Sequence, residues 1–457
     1  KLPKLQHYIK KGDRLDIKNY RPISILPIFS KCLEKVILNQ ISSFCAKYQL
    51  ITKAQYGFQK NKSVELALLE QKEYILQNFE QKLLTLGIFV DFTQAFDHID
   101  HNILVKKLER YGIRGLPLEF IKSYLGRRRQ FVFLNGLTSK SKEIISGVPQ
   151  GSILGPLLFN LYVNDIIHMC QQARFIIYAD DTSIFLSSSS YAEITNMAND
   201  VLRKLSSWSK QNRLKVNSNK TKAVFFYTRG TPIPLHHNIA FNHTNIEVLD
   251  TIKMLGTYFS SNMQWDEHVN FVLLKLSQIA GILNRNRYIL PESVKLLIYN
   301  TLFVSHINYC HLVWGTTTES NLHKLHLMQK RMIRVIANVS YTEHTDYLFK
   351  KYNIPKVHDI YRRRLMRDFY YSIRKNTSTL LEIGNLEKRQ PSHKTRTPEP
   401  WIVPRSRTNY GDQMLKNTLP RLLNSFEEAG TDISSITPSE LRYILCSFSD
   451  TGALRTT

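Results

Sequence analysis

Long apolar runs are missing from this sequence, cysteines are few, and acidic residues are heavily outnumbered. A membrane-crossing helix needs about 18 consecutive apolar residues. The most apolar segment here, Leu154 to Val163, is interrupted by Asn160 and stops at Asn164 and Asp165, so no transmembrane span and no membrane partner are expected. The five cysteines (Cys32, Cys45, Cys170, Cys310, Cys446) are scattered, odd in number and form no Cys-x-x-Cys pair. That argues against a disulfide framework and a cysteine-rich zinc site, and for a reducing compartment. No internal repeat and no low-complexity tract beyond Ser187 to Ser190 occurs, which sets repeat architectures aside. The chain opens on Lys1 without the zones of a signal peptide, and reads as a stretch of a longer product. The acid deficit, 62 Lys and Arg against 37 Asp and Glu, leaves a formal charge of +25. Such an excess suggests a polyanionic partner such as nucleic acid, which is preferred over the competing reading of a membrane surface.

What is present is length enough, 457 residues, for two or three packed units. The pattern is mixed α/β at first, with Phe29, Leu33, Val36, Ile37 and Ile41 spaced three and four apart as on a helix face. Residues 86 to 92, LGIFVDF, form a short apolar run that predicts a buried strand ending in a carboxylate instead of a turn residue. Residues 174 to 186, RFIIYADDTSIFL, predict a hairpin of two apolar strands with adjacent aspartates at its tip. Between them SGVPQGSILGPLLFNLYVNDI (146 to 166) reads as a Gly/Pro loop feeding a helix. Ile194, Met197, Ala198, Val201, Leu205 and Trp208 mark one face of an amphipathic helix that should pack on a sheet. Helical patterns over 266 to 284, 292 to 306 and 320 to 337 suggest a separate helical domain. From 324 to 407 there are 19 Lys and Arg against 7 Asp and Glu, and Pro391, Pro398, Pro400 and Pro404 mark a largely extended stretch.

Three aspartates, Asp91, Asp180 and Asp181, fall where strands are predicted to end. A lone Asp at such a place usually caps a turn. A half-buried cluster of ionised carboxylates, however, needs a neutralising partner, and magnesium, which prefers oxygen ligands, is the natural one. Two such ions roughly 3.5 to 4 Å apart can activate a 3′ hydroxyl and stabilise a leaving pyrophosphate, which is polymerase chemistry. The Gly/Pro loop would let backbone approach a nucleotide and template closely.

In order and spacing these strings resemble the motifs of reverse transcriptases of non-long-terminal-repeat, jockey-like retrotransposons. NYRPISILPIFSKCLEKVI (19 to 37) and QYGFQKNKSVELAL (55 to 68) look like the two fingers motifs, and FVDFTQAFDHIDH (89 to 101) like the strand with the first catalytic aspartate. SGVPQGSILGPLLFNLYVNDI and YADDT follow as loop and catalytic hairpin, WSKQNRLKVNSNKTK (208 to 222) as the lysine-bearing palm motif, and LGTYFSSNMQWDEHV (255 to 269) as a primer grip. The resemblance implies that Asp91, Asp180 and Asp181 are catalytic and bind two Mg2+ ions, with Mn2+ as a substitute, the carbonyl of Phe92 being a further ligand. It implies that Phe96 lies beneath the incoming sugar and selects deoxynucleotides, ordinary core packing being the alternative. Gln150 and Gly151 would line the nucleotide pocket, Arg21 and Lys31 would approach the triphosphate, and Lys220 or Lys222 would lie near the leaving pyrophosphate, with structural or solvated roles open for these basic residues.

Asp97 and Asp100 are expected to cap or begin a helix and are assigned no metal. His306, Cys310, His323 and His326 lack finger-like spacing and are assigned none either. DFTQAFD stands where the family commonly has DFSKAFD, and Gln59 where an Arg is common, which puts one phosphate contact in doubt. No endonuclease-like segment precedes the motifs, so target cleavage is not assigned.

The implied fold class is α+β, a right-hand polymerase: fingers and palm over 1 to 260, the palm an antiparallel sheet backed by helices, a helical thumb over 261 to 345, and a basic C-terminal region over 346 to 457 of no assigned role. The implied function is RNA-directed DNA polymerisation in target-primed reverse transcription. Its partners would be an RNA template, a DNA primer or nicked target DNA, and deoxynucleoside triphosphates, and its place the nucleus, with cytoplasmic assembly on its RNA as a variant. Two rivals stay open: a decayed transposon copy, and a non-catalytic nucleic-acid-binding protein.

Overall fold

The computed structural model describes residues 4–9, 13, 20–134, 137–231, 234, 237–375, 377, 379–389, 400–431, 433 and 435–447. Pro391, Pro398 and the side chain of Arg21 lie outside the described residues. In chain order the first half runs β1 (Lys4–Ile9), β2 (Tyr20–Ile25), α1 (Ile28–Lys47), α2 (Val64–Glu80), β3 (Leu84–Val90), α3 (His101–Arg110), α4 (Leu116–Leu125), β4 (Arg128–Leu134), β5 (Leu137–Thr138), β6 (Lys142–Ile144), α5 (Gly155–Val163), β7 (Arg174–Tyr178), β8 (Asp181–Ser188), α6 (Tyr191–Gln211) and β9 (Lys222–Phe226). Then come β10 (Ala240–Phe241), β11 (Thr244–Asn245), β12 (Glu247–Val248), β13 (Thr251–Met254), β14 (Thr257–Ser260), α7 (Asp266–Arg285), α8 (Glu292–Ile298), α9 (Val304–Asn308), α10 (His311–Trp314), α11 (Glu319–Ala337), α12 (Asp346–Lys351), α13 (Val357–Arg374), α14 (Thr379–Gly384), α15 (Asn409–Asp412), α16 (Leu415–Glu428) and α17 (Pro438–Ser447). The class is α+β, as the sequence implies.

The chain forms two compact units, the first comprising Lys1–Ser63, Thr85–Phe225 and Pro232–Leu249, the second Val64–Leu84, Phe226–Thr231 and Asp250–Thr457. In the first unit a five-stranded sheet is ordered β12-β9-β3-β8-β7. Central β3, LTLGIFV, is buried at every residue, which is why it reads as a continuous apolar run without alternation. Strands β7 and β8 form the predicted hairpin, with Phe175 opposite Ile184 and Tyr178 opposite Asp181. The Phe89 and Phe185 rings meet edge-on with centroids 5.9 Å apart, tying β3 to β8. The sheet is not antiparallel throughout: β12 runs parallel to β9, with Glu247 opposite Lys222. A parallel pair cannot be closed by a tight turn, and the long connection between the two strands permits it.

Helix α6, capped by Ser190, buries Ile194, Ala198, Val201, Leu202, Leu205 and Trp208, and packs against β8. Each of the buried Ile, Val and Leu side chains contributes about 1.5–3 kcal/mol by leaving water. Helix α5 is buried on all sides except at Pro156, as its apolar sequence requires, and its amide side chain, Asn160, donates to Gly57 O at 2.8 Å. A second sheet in this unit is ordered β2-β1-β4-β5, with β6 also on β4.

In the second unit α7 and α11 pack face to face through Val269, Val272, Leu276, Ile279 and Leu283 of one and Leu325, Met332, Ile333 and Ile336 of the other. The pattern predicted over 292 to 306 is α8 and α9 joined by a π turn, Tyr299–Phe303. Helix α2 belongs here, and its charges each meet a partner. Glu65 accepts from Leu312 N at 2.9 Å and pairs with Arg364 at 2.6 Å. Buried Lys72 donates to Gln413 O at 2.8 Å and Thr316 Oγ1 at 3.2 Å, and Glu73 accepts from Leu415 N at 2.9 Å. The second motif string, QYGFQKNKSVELAL, is thus divided between the two units after Ser63.

Candidate active site

Strand β3 delivers Asp91 at its C-terminal end, half-buried, and the segment before β9 grips the backbone there. Asp91 N donates to Thr221 Oγ1 at 3.3 Å, Asn217 N donates to Asp91 O at 2.8 Å, and Thr93 N donates to Lys215 O at 2.8 Å. Phe92 is buried, bridges Val216 in antiparallel fashion and lies against Trp208 with ring centroids 6.2 Å apart. This is how the lysine-bearing string reaches the first aspartate: by backbone pairing. Of the two lysines expected near the pyrophosphate, Lys222 spends its ammonium on Glu247 and on Asn219 O at 2.7 Å, whereas Lys220 is exposed.

The hairpin puts Ala179 and Asp180 in a two-residue turn, half-burying Asp180 and leaving Asp181 exposed as the first residue of β8. Ala179 has φ +58, positive at the first turn position, where glycine is the usual residue. Because β8 neighbours β3, Asp91 directly follows one strand while Asp181 opens the strand beside it, with Asp180 in the adjoining turn. Among the described residues no three His, Cys, Asp or Glu side chains are drawn together as an assembled metal group. The donor set itself, three carboxylates and the Phe92 carbonyl, consists only of hard oxygens and suits Mg2+ or Mn2+ over a soft metal.

The Gly/Pro loop lies against two other motifs. Ser24 N of β2 donates to Gln150 O at 2.8 Å, so the strand containing Arg21 holds the loop by its backbone. Gly151, at φ +106, could not bear a side chain, since a Cβ would come within 2.9 Å of Ser24 O. The Gln150 amide donates to both carboxylate oxygens of Asp97, at 2.9 and 3.1 Å. Phe96 stacks on Phe159 of α5 with centroids 4.3 Å apart, and its carbonyl accepts from Val148 N at 2.9 Å. The far end of the loop is tied to α1: buried Glu34 accepts from Ile153 N at 2.7 Å, Leu154 N at 3.2 Å and Tyr124 Oη at 3.1 Å. Phe96, Gln150 and Gly151 are therefore brought together, while Lys31 stands exposed on α1.

Asp100 is a cap, as its position suggests: it accepts from Ile103 N at 3.0 Å and pairs with Arg213. Burial pushes its carboxyl up, but the Ile103 N–H and the Arg213 guanidinium together hold it below the usual range. Asp97 differs, being the carboxylate that orients Gln150. Sequence reasoning missed that role, and missed Glu34, because their partners lie far along the chain; the one available signal was their position inside motif strings.

Residues 9–259 match the reverse transcriptase (RNA-dependent DNA polymerase) family. The chain is 27% identical over 356 residues to the RNA-directed DNA polymerase from mobile element jockey of Drosophila melanogaster, covering 75% of this chain and 38% of that protein. It is 27% identical over 367 residues to the probable RNA-directed DNA polymerase from transposon BS of the same species, covering 77% and 40%. It thus spans well under half the length of these curated relatives. Among solved structures, apo telomerase from Candida tropicalis aligns with a TM-score of 0.43 at 12% identity over 82% of this chain and 66% of that one.

Proposed function

The chain belongs to the reverse transcriptase (RNA-dependent DNA polymerase) family, and on that premise we propose that it adds deoxynucleotides to a DNA primer 3′ end on an RNA template, as the polymerase of a non-long-terminal-repeat retrotransposon. The observation that carries this reading is the placement on one sheet of Asp91, at the end of β3, and of Asp180 and Asp181 in the neighbouring hairpin. Beside it stands the loop in which Gln150 and Gly151 are held against β2 and Asp97. The family uses divalent metal ions. In this chain Asp91, Asp180, Asp181 and the Phe92 carbonyl would hold two Mg2+, which when bound supply Lewis-acid stabilisation of the attacking and leaving oxygens.

The chain's own residues do the rest. Phe96, locked by its stack on Phe159, presents a bulky edge where a ribose 2′ hydroxyl would have to fit, favouring deoxynucleotides. Gln150, aimed by Asp97, and Gly151, free of a side chain, shape the nucleotide pocket. Arg21, Lys31 and Lys220 supply positive charge for the triphosphate and pyrophosphate, and the net charge of +25 favours the nucleic acid. The substrates are an RNA template, a DNA primer or nicked target strand, and deoxynucleoside triphosphates, and the place of action is the nucleus.

The test is extension of a labelled DNA primer on an RNA template with Mg2+, comparing this chain with Asp180→Asn. Extension by the parent and a loss of about a hundredfold or more in the variant is the expected result. A folded, RNA-binding parent that does not extend the primer at any Mg2+ concentration would remove the enzymatic reading and leave a nucleic-acid-binding protein.

A further inference from the structure

The catalytic hairpin has an internal brace that the polymerase reading leaves without a role. At the hairpin tip Ala179 is forced into a positive φ that L side chains rarely adopt, and it immediately precedes Asp180. Such a conformation persists only where its surroundings over-determine it. Here the surroundings are a short segment, residues 52–57. Gln55 is 1% exposed, and its Oε1 accepts from Ala179 N at 3.0 Å and from Gly57 N at 2.8 Å. Its Nε2 meets no partner among the described residues, so the side chain is held by its oxygen alone.

Backbone pairing aligns this oxygen with the turn. Tyr56 N donates to Ile177 O at 2.7 Å, Ile177 N donates to Ala54 O at 2.8 Å, and Gln55 bridges Ile177 in parallel along the outer edge of β7. Gly57 closes the contact: a Cβ there would come within 2.3 Å of Ala179 N. The segment is fixed from behind. Asn160 Nδ2 of α5 donates to Gly57 O at 2.8 Å, Thr52 N donates to Asn164 Oδ1 at 2.8 Å, and the Lys62 ammonium donates to Gln55 O at 2.9 Å while lying 4.4 Å from the Tyr56 ring centre.

We propose that Gln55 is a positioning residue for the catalytic hairpin, holding Ala179 in its left-handed turn so that Asp180 and Asp181 are presented in the geometry that binds divalent metal. The role does not extend to substrate, because Gln55 faces the turn backbone, so nucleotide affinity is independent of it. As a statement about activity it rests on the polymerase reading; as a statement about metal binding it does not.

The experiment compares the parent with Gln55→Met, which keeps length and volume but removes the acceptor, and Gln55→Glu, which restores an acceptor oxygen. Three quantities are read: Mn2+ binding by electron paramagnetic resonance, kcat and deoxynucleotide KM in primer extension, and thermal unfolding. In Gln55→Met the half-saturating Mn2+ concentration should rise and kcat should fall, each about tenfold, with KM within about twofold of the parent, and Gln55→Glu should recover most of both losses. A folded Gln55→Met with parental Mn2+ binding and kcat overturns the proposal, as does a loss that Gln55→Glu fails to recover at all. Should Gln55→Met not fold, Gly57→Ala, which presses on Ala179 N directly, must show the same Mn2+ and kcat losses, and parental values there overturn it equally. If the parent extends no primer, the polymerase reading falls, while the Mn2+ titration still decides the brace.

Discussion

Three acidic side chains, Asp91, Asp97 and Asp100, stand close together in FVDFTQAFDHIDH, and the residue scale is where their roles separate. Asp91 leaves a buried strand and is fixed through its backbone, its N–H donating to Thr221 Oγ1 and its carbonyl accepting from Asn217 N, whereas Asp100 is spent on capping α3 and on Arg213. Asp97 holds the Gln150 amide in a two-oxygen grip. Asp97→Ala should therefore raise the deoxynucleotide KM by about tenfold, the equivalent of one lost charge-assisted hydrogen bond, and leave the Mg2+ requirement unchanged. Steady-state primer extension checks it, and an unaltered KM would mean the contact plays no part in nucleotide binding. Phe96→Val removes the aromatic edge stacked on Phe159. It should admit ribonucleotides about tenfold or more better relative to deoxynucleotides, read as the ratio of kcat/KM values.

At the scale of elements, α2 shows how little the composition of a helix reveals of its surroundings. Its mixture of charged and apolar residues resembles a solvated surface helix, yet Lys72 and Glu73 are buried, the former completely. Burial pushes the Lys72 ammonium down and the Glu73 carboxyl up to about 7. Lys72→Met leaves Glu73 buried beside no cation from its neighbour, a change that typically costs about 3–5 kcal/mol when the remaining charge is forced to stay. Protonation relieves that penalty below the carboxyl pKa, so the destabilisation should be larger at pH 8 than at pH 6. Urea unfolding at both values tests this, and a pH-independent loss would contradict it.

For the whole molecule, acid sensitivity should be set by the second unit. His268 and His311 are buried there against Trp314, with ring centroids 5.2 and 4.4 Å from the indole. Desolvation, assisted by Lys253 for the first and by Arg364 for the second, lowers their pKa values to about 4 and about 3. Both are neutral when folded, while in the unfolded chain each takes up a proton near its ordinary value of about 6.5. Their contribution to stability is therefore complete above about pH 6.5 and declines as the pH falls toward 4, by up to about 1.4 kcal/mol per pH unit for each ring. His268→Phe should flatten that decline in a series of melting temperatures; an unchanged slope would assign the acid sensitivity elsewhere.

Much of this was written locally. Strand β3, the β7–β8 hairpin, the loop feeding α5 and the buried face of α6 rest on periodicity, turn residues and caps, which act over a few residues and so can be read from them. The three aspartates at strand ends were legible for the same reason. What only the tertiary structure decided depends on distant partners: the membership of α2 in the second unit, the parallel edge at β12, and the grip of Asp97 on Gln150. The placement of Gln55 against Ala179, 124 positions away, belongs with them. A hydrogen bond between remote residues leaves no periodic trace in either stretch of sequence, since its geometry exists only once the backbone has brought the two groups together.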